Sequence, residues 1–193
     1  MSGRPRRYAR DEMVQKAMYL FWSKGYEACS TDALCKVMDI GKGSFYNTFE
    51  SKHRLYEETL EYYHEEWITV QEKILTEPIH LKERLVNFLT WAMEKDFQQN
   101  SNGCYLVNAS AEAPLDASVI LWSEKHVKDL EHILVNEFQK SIVMGEFSKN
   151  YTAEELTTQF LCNFYGLRIL IASTRDRKFA EQIIETTSKL FSE

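Results

Sequence analysis

The chain is short of the residues with which β-rich folds turn. Its 7 Gly and 3 Pro among 193 residues are too few for the succession of tight turns that an all-β sandwich or barrel requires, so helix is favoured from the outset. Cysteine is scarce too. Cys29, Cys35, Cys104 and Cys162 are scattered without CxxC spacing, a pattern that fits a reducing cytoplasm. Long apolar runs are missing: the most apolar late stretch, Phe160 to Ala172, is too short to span a bilayer and contains Asn163, Gly166 and Arg168. No apolar segment of the secretory kind follows the basic N-terminus. A cytoplasmic protein with no membrane partner is expected.

Catalytic signatures are absent as well. There is no phosphate loop, no Gly-x-Ser-x-Gly elbow, no paired catalytic carboxylates and no His/Cys/Asp/Glu cluster with metal-ligand spacing. His126 and His132 lie six apart, off one helix face. An enzyme would have to rest on a cysteine nucleophile such as Cys104, so neither enzymatic activity nor a cofactor is expected.

What the chain has is an uneven distribution of charge. The formal net charge is −6, which argues against a generic nucleic-acid binder. Residues 1–54, however, hold ten Lys/Arg against six Asp/Glu, a net of +4, while the remaining 139 hold 13 basic against 23 acidic groups, a net of −10. A basic head precedes an acidic body.

Periodicity fills both parts with helices. Val14, Ala17, Met18 and Phe21 recur at three- and four-residue spacing, predicting a helix over about 10–24 that Gly25 stops. Thr31 can cap a short second helix bearing Leu34, Val37 and Met38, and a third runs from Lys42 to Phe49 after Asp39-Ile40-Gly41. Two short helices across a glycine-containing turn give the outline of a helix-turn-helix. Ser51 then caps a long helix to about Leu75, with Leu55, Leu60, Tyr63, Trp67, Val70 and Ile74 as its apolar stripe. Further helices are expected over 81–99, 104–112, from an Asp116 cap to Gly145, from a Thr152/Glu155 capping box to about 174, and over about 177–191. The fold class is all-α. The expected division is a helix-turn-helix head over 1–54 and a helical body over 55–193.

Three features of the head point to DNA. The first is the basic arm Arg4-Pro5-Arg6-Arg7 with Arg10, suited to phosphates or to a narrow minor groove, or else a solvated terminus. The second is Lys42-Gly43-Ser44-Phe45-Tyr46-Asn47-Thr48-Phe49. At a recognition-helix start Lys42 can reach guanine acceptors, Ser44 suits either base edge, Gly43 admits close backbone approach, and Tyr46, Asn47 and Thr48 can bond phosphates. Phe49 reads as core; for Phe45 core and interface are both open. The third is Ser51-Lys52-His53-Arg54, basic side chains at a helix N-terminus whose dipole they oppose. A backbone phosphate beside Lys52 would remove that conflict.

Residues Thr31 to Leu55, T-x-x-L-C-x-V-M-D-I-G-K-G-S-F-Y-N-T-F-E-S-K-x-x-L, resemble the helix-turn-helix signature of the TetR family. In that signature an Ala-Gly-Val-Ser-Lys-Gly turn leads into Leu-Tyr-x-x-Phe and a Ser-Lys step. Gly43, Tyr46, Phe49, Ser51, Lys52 and Leu55 match in register, over about the first quarter of the chain. Met38-Asp39 stand where Ala-Gly is usual, Gly41 where a capping Ser is usual, and Cys35 where Ala is usual. Asp39 could repel phosphate or accept from a cytosine amino group. The resemblance implies a transcriptional repressor in which Thr31, Lys42, Gly43, Ser44, Tyr46, Asn47, Thr48 and Lys52 contact double-stranded operator DNA. It also implies a homodimer formed through the last two long helices, and a small-molecule inducer bound among the central ones.

For that inducer, Phe88, Trp91, Phe97, Tyr105, Asn108, Trp122, His126, Phe160 and Phe164 come from helices expected to surround a pocket, with plain core as the competing reading of each. The run Gly103-Cys104-Tyr105-Leu106-Val107-Asn108 is similar to a subset of the family whose ligand domain has a Gly-Cys-hydrophobic run at the start of its sixth helix, and some such regulators respond to electrophiles or oxidants through cysteine. Cys104, expected at a helix N-terminus, is therefore a further ligand-side candidate, and Cys162 is expected to be buried. A cysteine-based redox regulator and a ligand-free architectural DNA-binding protein are the alternative functions.

Overall fold

A computed structural model of the chain describes residues 6–98, 101–147 and 150–191, with side chains from Arg10 onward. The described residues form nine helices and no strand: α1 (Arg6–Lys24), α2 (Thr31–Met38), α3 (Lys42–Phe49), α4 (Lys52–Leu75), α5 (Leu81–Phe97), α6 (Tyr105–Glu112), α7 (Ala117–Met144), α8 (Ala153–Thr174) and α9 (Arg177–Leu190). The expected punctuation works. Gly25 ends α1 at φ +82° with its N–H donating to Phe21 O at 2.7 Å. Asp116 Oδ1 accepts from the N–H groups of Ser118 and Val119 at the head of α7. Thr152 and Glu155 complete the capping box of α8.

Four expectations are corrected. α1 begins at Arg6 rather than near residue 10, because Arg is a good helix former and the first turn of a helix needs no apolar stripe to form. Ser30, not Thr31, caps α2, its side-chain oxygen accepting from Ala33 N–H at 3.1 Å. On α4, Val70 is 40% exposed and Gln71 is buried, since the row Tyr63, Trp67, Gln71, Leu75 advances by four and carries the apolar face past residue 70. Cys162 is exposed, because the buried row of α8 runs through Leu156, Phe160, Phe164, Leu167 and Ile171 and leaves residue 162 on the opposite side.

The chain divides into two compact units, residues 1–66 with 105–124 and residues 67–104 with 125–193. In the first, Val14, Ala17, Met18 and Phe21 of α1 are buried, as are Leu34 and Met38 of α2, Phe45 and Phe49 of α3, and Leu55, Tyr56, Leu60 and Tyr63 of α4. α6 belongs to this unit: Tyr105 is buried there, its hydroxyl 2.9 Å from Thr59 Oγ1 and its ring against Tyr56 and Tyr63. Burial, only partly offset by the Thr59 hydrogen bond, holds the Tyr105 phenol well above its ordinary pKa, so it remains a neutral hydroxyl. The Glu112 carboxylate at the end of α6 accepts from Glu27 N–H at 3.2 Å.

In the second unit, α5, α7, α8 and α9 bury an apolar cluster that includes Leu85, Phe88, Leu89, Leu134, Phe138, Phe160, Phe164, Leu167 and Ile184. Two ion pairs sit inside it. Arg168 makes a two-pronged contact with Asp96, at 2.9 and 2.8 Å, and Arg84 donates to Glu137 and to Leu75 O, both at 2.5 Å. Burial raises the Glu137 carboxyl, but hydrogen bonds from Lys140 and Arg84 more than reverse this and leave it below the ordinary carboxylate range.

Candidate nucleic-acid interface

The geometry of the candidate site starts with the turn. The C-cap of α2 is Asp39 in the left-handed region, φ 57° and ψ 46°, the conformation for which glycine stands at this position in the resembled signature. Aspartate is one of the few side chains that enter it readily, so Asp39 keeps the turn at modest cost. Gly41 then caps α3 from an extended conformation without a side-chain hydrogen bond.

α3 is held by its aromatics. Phe45 and Phe49, four apart, are 0% and 1% exposed, which settles Phe45 as core. The rest of the helix faces outward: Lys42, Gly43, Ser44, Tyr46 and Asn47 are exposed, and Thr48 is half-buried. A Cβ built on Gly43 meets nothing within 4 Å, so packing inside the chain does not require glycine there. Thr31, at the first position of α2, is half-buried.

The cations of the site are held loosely. Lys42 Nζ lies 2.7 Å from Asp32 Oδ1, and that hydrogen bond keeps the ammonium above its ordinary pKa. Both side chains are largely exposed, and an exposed pair of this kind contributes little, so an incoming acceptor can take over the lysine. Lys52 rests on the Tyr26 ring, its Nζ 4.0 Å from the centroid. The first turn of α4 contains no acidic residue, yet part of the expected conflict with the helix dipole is resolved within the protein. His53 Nε2 lies 2.8 Å from Asp116 Oδ2, and Arg54 pairs with Glu57. Lys52 is the member of that basic step turned to a ring instead of a carboxylate.

The N-terminal arm is different from the expected one. Arg4 lies outside the described residues, as do the side chains of Arg6 and Arg7, whose backbones open α1. Arg10 serves the fold: its guanidinium donates to Glu58 at 2.7 Å and to Thr48 O at 3.3 Å, and sits over the Phe49 ring. It ties α1 to the end of α3 and to α4. Nothing in the sequence distinguished Arg10 from its neighbours, because Glu58 is 48 residues away.

The candidate inducer residues are divided between the two units. In the second, Phe88 packs on Phe160, Phe164 and Trp91 at ring distances of 5.8, 4.8 and 5.9 Å. Phe97 takes the Arg177 guanidinium over its ring at 4.7 Å, and Cys104 and His126 are buried. In the first unit, Tyr105 is core, Asn108 is half-buried, and Trp122 lies against His64 with ring centroids 5.5 Å apart. Among the buried polar residues that the sequence reading did not single out is Gln71 of α4. Among the described residues no group of three or more His, Cys, Asp or Glu could hold a metal ion, and no helix is long and apolar enough to cross a membrane.

Residues 14–59, which hold most of α1, all of α2 and α3 and the start of α4, match the family model for bacterial regulatory proteins, tetR family. The chain is 24% identical over 195 residues to the HTH-type transcriptional repressor ComR of Escherichia coli (strain K12), covering 99% of this chain and 92% of that one. It is 24% identical over 180 residues to the HTH-type transcriptional repressor DhaR of Mycobacterium sp. (strain GP1), covering 91% and 88%. Its fold is similar, at a TM-score of 0.82 and 25% identity over 97% of this chain and 98% of the other, to a cysteine mutant of the TetR family transcriptional regulator CifR complexed with 26-bp double-strand operator DNA. Residues 14–59 thus match the helix-turn-helix of the tetR family of bacterial regulatory proteins, and the whole chain is similar in sequence and fold to HTH-type transcriptional regulators.

Proposed function

We propose that the protein is a cytoplasmic repressor that acts as a homodimer on a pseudo-palindromic operator and is released by a small-molecule inducer bound in its helical body. The observation that carries this reading is the two-sidedness of α3. Phe45 and Phe49 fix the helix while Lys42, Gly43, Ser44, Tyr46 and Asn47 are exposed at and just after its N-terminus. A recognition helix reads base edges with those positions. Lys42 to Ser44 then meet bases, Tyr46, Asn47 and Thr48 meet phosphates, and Thr31 contributes from α2. Lys52, at the head of α4, contacts a phosphate together with the free N–H groups of that helix end. Arg4, Arg6 and Arg7 supply further phosphate contacts.

The dimer uses α8 and α9, which leave Ile169, Leu170, Phe179 and Leu190 between 38% and 61% exposed, apolar side chains that a second copy would cover. Two recognition helices would then address half-sites about 34–36 Å apart or somewhat more. An inducer that favours a dimer with mismatched reading heads weakens operator binding, and by linkage the operator weakens inducer binding by the same factor.

Footprinting on the organism's own DNA, with gel filtration of the free protein, tests the reading. The expected result is a dimer protecting an inverted repeat. A monomer that binds a single half-site tightly would overturn it. Once an inducer is found, calorimetry with and without operator should give different inducer affinities; equal ones would remove the release mechanism while leaving the DNA site in place.

A further inference from the structure

Gln71 has an unusual place in the second unit. It lies on α4, 0% exposed, and neither its Nε2 nor its Oε1 has a hydrogen-bond partner among the described residues. Burying a carboxamide without partners is unfavourable, and most buried polar side chains avoid it. A leucine or methionine would fill the same space without that penalty. The amide is therefore costly to the fold alone, which points to an external group that completes it.

The surroundings narrow the chemistry of that group. One turn before Gln71 on the same helix face, Trp67 has its ring 5.3 Å from Trp91 of α5, and Trp91 continues to Phe88 at 5.9 Å. One turn after Gln71 is Leu75, fully buried in the apolar cluster. The neighbourhood is aromatic on one side, with the two indole rings inclined to each other by 54°, and aliphatic on the other. The buried charges of this unit are already matched with each other, Arg84 with Glu137 and Arg168 with Asp96. A charged ligand group would find no counter-ion in those pairs without breaking them. A carboxamide, by contrast, offers one donor edge beside one acceptor edge.

We propose that Gln71 is the polar recognition group of the effector site, and that the effector class is a neutral molecule with a hydrogen-bond donor adjacent to an acceptor on a flat apolar frame, such as an aryl carboxamide or lactam. This rests on the reading of the helical body as the inducer-binding part of the protein. Gln71 donates through Nε2 and accepts through Oε1, and the Trp67–Trp91 pair flanks the ring of the ligand. Sequence reading missed the residue because a lone glutamine in a charged helix carries no signal until its face is known to be buried.

The test compares benzamide with isopropenylbenzene, which has nearly the same shape but lacks both polar edges, on the full-length wild type and on Gln71→Met. Binding is followed by tryptophan fluorescence and by the side-chain NH₂ resonances of ¹⁵N-labelled protein. Benzamide is expected to bind wild type and shift the Gln71 NH₂ signals. The affinity ratio of benzamide to isopropenylbenzene is expected to fall at least tenfold in Gln71→Met, whose melting temperature equals or exceeds that of wild type. An unchanged ratio, absence of benzamide binding to wild type, or a lower melting temperature of the variant would overturn the proposal; the last would show the amide to be satisfied within the fold. If benzamide binds through Gln71 but operator affinity does not change, the site stands and the release mechanism falls.

Discussion

Charged and polar side chains are used in opposite ways by the exposed face of α3 and by the core of the second unit. On α3 and the head of α4, Lys42 and Lys52 are held only by an exposed aspartate and a tyrosine ring, and Ser44, Tyr46 and Asn47 face solvent. In the core, Arg168 and Arg84 are 3% and 8% exposed and locked to carboxylates. The difference teaches where a mutation should be felt. A group with no strong internal partner can be removed without harm to the fold, and its loss appears in binding. A group whose partner is buried with it cannot be removed without leaving that partner uncompensated.

The largest effect should come from breaking a core pair. Arg168→Ala strands Asp96 in the apolar cluster and is expected to cost about 3–5 kcal/mol of unfolding free energy, whereas Arg168→Met with Asp96→Leu should recover most of it. Urea titration at fixed protein concentration measures both. If the single variant were as stable as wild type, the pair would not be the buried lock described above.

On the other side of the comparison, Ser44→Ala and Lys42→Ala are expected to change base preference at discrete operator positions by about 1–3 kcal/mol with no loss of melting temperature. Lys52→Ala should weaken binding to all sequences alike and lower the slope of log affinity against log salt by about one. A Lys52 variant that leaves affinity and slope unchanged would remove the phosphate contact.

The smallest effect is one of pH. Glu137 has its folded pKa depressed by Lys140 and Arg84 against the opposing effect of burial. Its contribution to stability is therefore present above the ordinary glutamate value, about 4.3, and is lost as pH falls through the lower folded value. Between pH 6 and pH 3 the urea midpoint of wild type should fall more steeply than that of Glu137→Gln. Parallel curves would show that Glu137 gains nothing from its partners.

The same contrast explains what was legible in the sequence. The helices were, because capping residues, glycine stops and apolar spacing act within a few residues: Gly25, Asp116 and the Thr152/Glu155 box each do what their local chemistry dictates. On α3 Phe49 was legible as core, whereas the orientation of the exposed row is fixed only once Phe45 is seen buried beside it. What stayed hidden depends on distant partners or on a small rotation of a helix. Arg10 reads like an arm residue until Glu58 comes to meet it. His53 and Arg54 read as a phosphate site until Asp116 and Glu57 are placed beside them. Cys162 and Val70 were misjudged because one step along a helix turns a side chain by about 100°, enough to exchange core for solvent. Candidate inducer residues were the least legible, as an aromatic on an apolar stripe packs a core and lines a pocket with the same pattern.

The central claim is that the exposed face of α3 reads DNA. Its most direct test is selection of binding sites from a random pool of duplexes by wild type and by Ser44→Ala, followed by sequencing of both sets. The account predicts an inverted repeat for wild type and, for the variant, the same repeat and spacing with altered preference at one symmetry-related position in each half-site. Identical base preferences from the two proteins would contradict the assignment of Ser44 to a base edge, and the failure of wild type to select any inverted repeat would contradict the account as a whole.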